Sequence, residues 1–178
     1  MTKKFRALAF TLFILFSQLG HSGPEQASMA VWVNEAIVAT YSYSYKNYLQ
    51  DQKQIAKYFT AAGWIAYTKA LNDSKLPEVI QKNFYSVSAV ATEPPVITQI
   101  DETHWKATMN LLAVYQNPQY KQQQNLKVTI QFTTAPSGQG VRGFTITDLQ
   151  SIASEPPCQC RQEKDNTPLP TKPVNAKP

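Results

Sequence analysis

The chain is poor in the side chains that carry most covalent and metal chemistry. Histidine occurs twice in 178 residues, as His21 and His104, and cysteine twice, as Cys158 and Cys160. His21 falls within a leader-like N-terminal segment, so the rest of the chain has one imidazole. That excludes a site built on two histidines. His104 opens a predicted strand and reads as a surface residue rather than a catalyst. Glycine is also scarce, at six residues, and none forms a glycine-rich phosphate loop. No serine stands in a nucleophile-elbow context. Asp101 and Glu102 are adjacent, but between two strands such a pair serves as solvated turn formers. The residues therefore offer no catalytic group, no metal site and no cofactor site.

A basic face is missing too. The net charge of +5 lies at the ends of the chain. Lys3, Lys4 and Arg6 precede any acidic residue, and the stretch after Glu155 has four basic residues against two acidic ones. Residues 23–155 carry ten charges of each sign. A nucleic-acid-binding body would cluster Lys and Arg, and none is clustered here, so no nucleic-acid partner is expected.

The first residues, MTKKFRALAFTLFILFSQLGHSG, run from basic to apolar to small side chains, the order of a secretory signal peptide. The apolar run from Ala7 to Leu19 is short of the roughly 20 residues a membrane span needs. Cleavage is expected at Ser22–Gly23, with Ala27 to Ala30 as a later option, and no stable span is expected after it. An uncleaved anchor in the inner membrane is the alternative. The expected organisation is a signal peptide over 1–22, one domain over 23–153, and a proline-rich tail over 154–178.

The tail holds six of the twelve prolines and little apolar area, so it reads as a disordered or polyproline-like extension. Both cysteines lie in it. In an oxidising compartment they should pair. A strained local Cys158–Cys160 disulfide is preferred to a bridge between chains, and both to a two-thiolate soft-metal site.

What remains is a body of about 130 residues, rich in aromatics and free of cysteine, which must be held by one core. Its first half reads as helix. In WVNEAIVATYSYSYKNYL the residues Val33, Ile37, Tyr41, Tyr45 and Tyr48 recur at helical spacing. That reading leaves Tyr43 off the buried stripe, where it would be an exposed aromatic suited to a protein interface; a tyrosine merely shielded by the next helix is the plainer alternative. Thr60 reads as the N-cap of AAGWIAYTKALNDS, whose apolar face is Trp64, Tyr67, Ala70 and Leu71, with Trp64 buried. Ser74 reads as a cap for KLPEVIQKN.

From Asn83 the period changes to two. FYSVSAVA, VITQI, HWKATMNLLAVYQ, NLKVTIQFTT and VRGFTITDLQSI read as strands, and NPQYKQQQ as a polar loop. Leu126, Val128, Ile130 and Phe132 share one face. Helices first and strands afterwards predict an α+β domain with helices on one face of an antiparallel sheet.

YFTAAGWIAYTKALNDSKL followed by VSAVATEPPVI resembles the periplasmic domain of the IcmL/DotI family of type IVB secretion (Dot/Icm) and conjugation systems. VNEAIVATYSYSYKNY is similar to the helix that opens that domain, and HWKATMNLLAVYQ to its central strand. The resemblance spans Trp32 to Leu149, and the phrase around Phe59, Thr60, Gly63 and Trp64 is its most specific part. It implies a cone-shaped α+β domain, cystatin-like or nuclear-transport-factor-like, with helices on a strongly curved sheet. It also implies a non-enzymatic scaffold in the periplasm, whose partners are other secretion-system or envelope proteins, with self-association open. Family members have a true transmembrane helix before the domain, where this chain has a signal-like segment, and the two-cysteine tail is outside the family pattern. Both departures point to a soluble periplasmic relative. The rival reading is a small-ligand-binding protein or enzyme using the pocket of such a fold. Asp148 and Glu35 are the body carboxylates beside apolar stretches, and Glu35 is expected to face solvent.

Overall fold

The computed structural model describes residues 24–154. The leader, the Ser22–Gly23 cleavage region, Cys158 and Cys160 lie outside the described residues.

Helix α1 (Pro24–Thr40) buries Met29, Trp32, Val33, Ala36, Ile37 and Thr40, a stripe at spacings of three and four. It ends at Thr40, one residue before the first tyrosine of the predicted stripe. Thr40 turns its hydroxyl back onto the Ala36 carbonyl (2.7 Å), and the Tyr41 amide is shared between the carbonyls of Ile37 and Val38. Strand β1 (Tyr43–Ser44) follows, then helix α2 (Tyr48–Ile55), a single 3₁₀ turn (Ala56–Tyr58), helix α3 (Ala61–Asp73) and helix α4 (Leu76–Lys82). Tyr and Ser alternate from Tyr41 to Tyr45, and within that alternation Tyr43–Ser44 is strand where the helical spacing predicted helix. β1 pairs with the next strand, and the serines satisfy backbone groups: Ser42 Oγ accepts from the Ala89 amide at 3.2 Å. Tertiary pairing overrides the helical periodicity here.

Thr60 caps α3 as predicted, its Oγ1 accepting from the Gly63 amide at 3.0 Å. In α4, Ser74 Oγ accepts from the Leu76 amide, while Lys75 takes a left-handed conformation at the N-cap and Pro77 sits in the first turn.

The strands are β2 (Ser86–Ala91), β3 (Val96–Gln99), β4 (His104–Gln116), β5 (Lys121–Thr134) and β6 (Phe144–Ala153). They form one antiparallel, strongly curled half-barrel in the order β1-β2-β4-β5-β6. β3 and β2 share one side of β4: β3 pairs with Trp105–Thr108 and β2 with Leu111–Gln116. β5 begins at Lys121, inside the stretch read as a polar loop. Its glutamines complete a ladder that runs from His104↔Thr133 to Gln116↔Lys121, because backbone pairing continues to the hairpin whatever the side chains. The turn is closed by Asn117 Oδ1, which accepts from the amides of Gln119 and Tyr120.

The core lies between α1 and the concave face of the sheet. β4 contributes Trp105, Ala107, Met109, Leu111 and Ala113, and β5 contributes Leu126, Val128, Ile130 and Phe132. Trp32 sits against Phe132 at 5.0 Å and Phe144 at 5.4 Å, and Trp105 stacks on Phe132 at 5.6 Å. Offset and edge contacts of this kind add to the area that the rings bury. The convex face is mostly polar but carries Val90 opposite Leu112.

β6 is an edge strand. Opposite the Gln131–Phe132 step it has one extra residue, Thr147, a β-bulge. Just before the bulge, Phe59 bridges to Ile146, and the Thr60 amide donates to the Ile146 carbonyl at 2.9 Å. The start of α3 is thereby tied to the sheet edge.

Candidate binding cleft

α3 leans over β6 and leaves a cleft of about 490 Å³. Tyr41, Tyr43, Tyr67 and Leu71 line one side, and Leu149 and Ser151 the other. Tyr43 reaches the cleft from β1, Tyr67 from the middle of α3, and Leu149 and Ser151 from the free end of β6.

The cleft is backed by aromatic packing. Phe59 stacks on Tyr67 at 5.1 Å and meets Trp64 edge-on at 5.7 Å; Tyr43 meets Tyr48 edge-on at 5.9 Å. Tyr67 Oη donates to the Thr40 carbonyl at 3.4 Å, joining α3 to the end of α1. Burial pushes the phenols upward. Tyr41 rises to about 12, the desolvation being partly opposed by the nearby Ser151 side chain. Tyr43 and Tyr67 are raised further, mainly by desolvation and then by neighbouring phenols. Such groups stay neutral at physiological pH. They can donate a hydrogen bond and offer a ring face, but they cannot serve as general bases there.

Tyr43 is 5% exposed. The sequence reading placed it outside the core as a surface anchor, and the structure corrects this: Tyr43 belongs to a strand, not a helix, so the helical phase that turned it outward does not apply. Trp64, expected to be buried, is half-buried, and Ala70 on the same helix is exposed. α3 covers only the edge of the sheet, so its apolar face is not enclosed.

Glu35 was expected to face solvent. It is instead half-buried at the centre of a cross-link: Oε1 accepts from Tyr58 Oη at 2.9 Å and Oε2 pairs with Arg142 Nη2 at 3.0 Å. This ties α1 to the 3₁₀ turn and to the β5–β6 connection. Tyr58 rises to about 12, first through desolvation and then through its bond to the Glu35 carboxylate. Tyr58, Arg142 and Ser151 had no local signal, since each acquires its role from partners far away in the chain; Tyr67 was legible as part of an apolar helix face, though its place in a cleft was not.

His104 and Asp101 lie at the exposed β3–β4 turn, as read. Asp101 Oδ1 accepts from the amides of Thr103 and His104, both at 2.9 Å, and approaches His104 Nδ1 at 2.8 Å. The Thr103 amide, then the His104 side chain, hold the Asp101 carboxyl below its ordinary range. This is the hydrogen bonding of an exposed turn. Asp148 is half-buried and accepts from Gln150 Nε2 at 3.1 Å. Among the described residues, no three His, Cys, Asp or Glu side chains gather as a metal site requires.

A family model described as the type-IV b secretion system inner-membrane complex component, DotI/IcmL, matches residues 15–153. The chain belongs to the DotI/IcmL family. An IcmL-like type IV secretion system protein of Legionella pneumophila subsp. pneumophila str. Philadelphia 1 is 66% identical; the match covers 78% of this chain and 99% of that one, with a TM-score of 0.75. The periplasmic domain of DotI is 28% identical over 76% of this chain and 100% of that one, with a TM-score of 0.69. CagV, a VirB8 homolog of Helicobacter pylori, shares the fold at 12% identity, with coverage of 72% and 99% and a TM-score of 0.60. The comparison with curated proteins finds no match. Membership in the DotI/IcmL family makes this chain a relative of inner-membrane secretion components. Among the described residues, no helix is long and apolar enough to cross a membrane.

Proposed function

We propose that the domain is a non-enzymatic protein-interaction module of the periplasm, acting in the assembly of a type IVB secretion or conjugation apparatus. The observation that carries this reading is the character of the cleft. Its titratable lining consists of phenols held neutral by burial, beside apolar and amide side chains, a surface that binds rather than reacts. The likeness to the DotI periplasmic domain supports the location.

The chain is exported by its leader and cleaved near Gly23 under this proposal. Sequencing the N-terminus of the exported protein tests this. Intact Met1 in a carbonate-resistant membrane fraction would sink it. The interaction role is tested with the full chain, tagged and crosslinked in cells that carry the secretion system. Subunits of the inner-membrane complex should co-purify, and recovery of the chain free of all of them would refute the role.

One observation favours the rival: the cleft has the volume of a small-molecule site, with the Tyr41–Ser151 pair as a polar handle. A small ligand seated there would raise the thermal midpoint and change Trp64 emission, because Trp64 lies 5.4 Å from Tyr67.

A further inference from the structure

We infer that the aromatic cleft is a docking groove for this chain's own proline-rich C-terminal segment. The inference does not depend on the secretion-system role.

Three features of the cleft point to an extended occupant. β6 is a sheet edge whose outer backbone is bridged only at its start, by Phe59 and Thr60, where the first turn of α3 packs over Ile146 and Thr147. Beyond Ile146, among the described residues, no other segment hydrogen-bonds to its outer backbone. The Ser154 amide bonds to the Asn125 carbonyl at 2.9 Å, so Ser154 continues the pairing with β5. In an antiparallel ladder the direction alternates, which turns the backbone groups of Leu149, Ser151 and Ala153 outward. These three residues also line the cleft. The groove therefore has an unpaired strand edge along one wall and phenol rings along the other.

The direction in which the chain continues from β6 selects the occupant. The chain leaves the described fold at Ser154, the residue after Ala153 in the cleft wall. Directly beyond come residues 155–178, with six prolines. Thr167–Val174, TPLPTKPV, sets Leu169 between two prolines. Proline-flanked segments adopt an extended three-residue helix at little entropic cost, and such helices bind grooves lined by aromatic rings with hydroxyl donors. Twelve residues, 155–166, separate the exit point from this segment, and extended they reach about 40 Å. Attachment so close to the groove gives a local concentration in the millimolar range, so a weak site is kept filled.

The test uses the full chain with a benzophenone side chain in place of Leu169. Illumination should give crosslinks within one chain, mapped by mass spectrometry to Tyr41, Tyr67, Leu71 or Ser151. Pro168→Ser together with Pro170→Ser lies outside the described fold and should cut that yield about tenfold, as should an excess of a synthetic Thr167–Val174 peptide. Crosslinks only between two chains would assign the groove to a second copy and overturn the inference. Crosslinks scattered over the surface, no crosslinks, or a yield insensitive to the proline changes would overturn it as well.

Discussion

A β-carbon added at Gly63 would stand 2.8 Å from the Ile146 carbonyl oxygen and 2.9 Å from that of Thr147. The first turn of α3 thus lies directly on the β6 backbone. In an ordinary helix, alanine is better than glycine by about 1 kcal/mol. Here Gly63→Ala should instead destabilise by about 1–3 kcal/mol, because the obstacle is backbone and cannot rotate aside. Urea unfolding measures the sign, and a gain in stability would show that α3 is free to lift off the strand.

The tryptophans should separate by layer. Trp32 is fully buried against Phe132 and Phe144, so Trp32→Ala should cost about 3–5 kcal/mol. Trp64 is half-buried on the rim of the sheet, and Trp64→Ala should cost about 2 kcal/mol. Equal losses would contradict this layering.

Tyr43→Ala should destabilise by about 3 kcal/mol, because the ring is enclosed at a β1–β2 pairing position. Tyr45 is half-buried, edge-on to Phe84 at 5.3 Å, and Tyr45→Ala should cost about 1 kcal/mol. Chemical denaturation of both variants checks the order.

The difference between these two tyrosines shows what the sequence could and could not convey. The strand faces were legible: Leu126, Val128, Ile130 and Phe132 alternate in the sequence and are all buried. The Thr60 cap was legible because its partner is three residues away. The end of α1 was not, because a helical stripe and a strand alternation overlap in the same tyrosines, and pairing with a strand more than forty residues on decides between them. The cleft was equally hidden. Its walls come from the first and last strands and from α3, and no local pattern records that they meet.

Alkaline titration should reveal the buried phenols. Tyr41 and Tyr58 titrate near 12 in the folded domain and near 10 when unfolded. Their contribution to stability is complete below pH 10 and is lost as pH rises from about 10 to 12. Phenolate absorbance should therefore appear late, together with loss of the fold. Early ionisation of every tyrosine near pH 10, with the fold intact, would contradict the burial described above.

Glu35→Gln should cost below about 1 kcal/mol, since the pair with Arg142 is partly exposed and screened. The phenol of Tyr58 should nevertheless ionise at lower pH in that variant, because the Glu35 carboxylate opposes its charge. A spectroscopic titration compared with Tyr58→Phe isolates the band. No shift would mean that the Tyr58–Glu35 bond is absent in solution.

The tie between Thr60 and Ile146 also fixes the order in which the domain can be completed. The helix that comes third in the chain is held by the strand that comes last. A chain emerging N-terminus first presents Phe59, Trp64 and Tyr67 long before their sheet edge exists. The long β4–β5 hairpin can zip from its own turn, but β6 must arrive before α3 can settle. Between those two events the newborn protein carries an uncovered aromatic face, and that interval is when a holding chaperone would find its target.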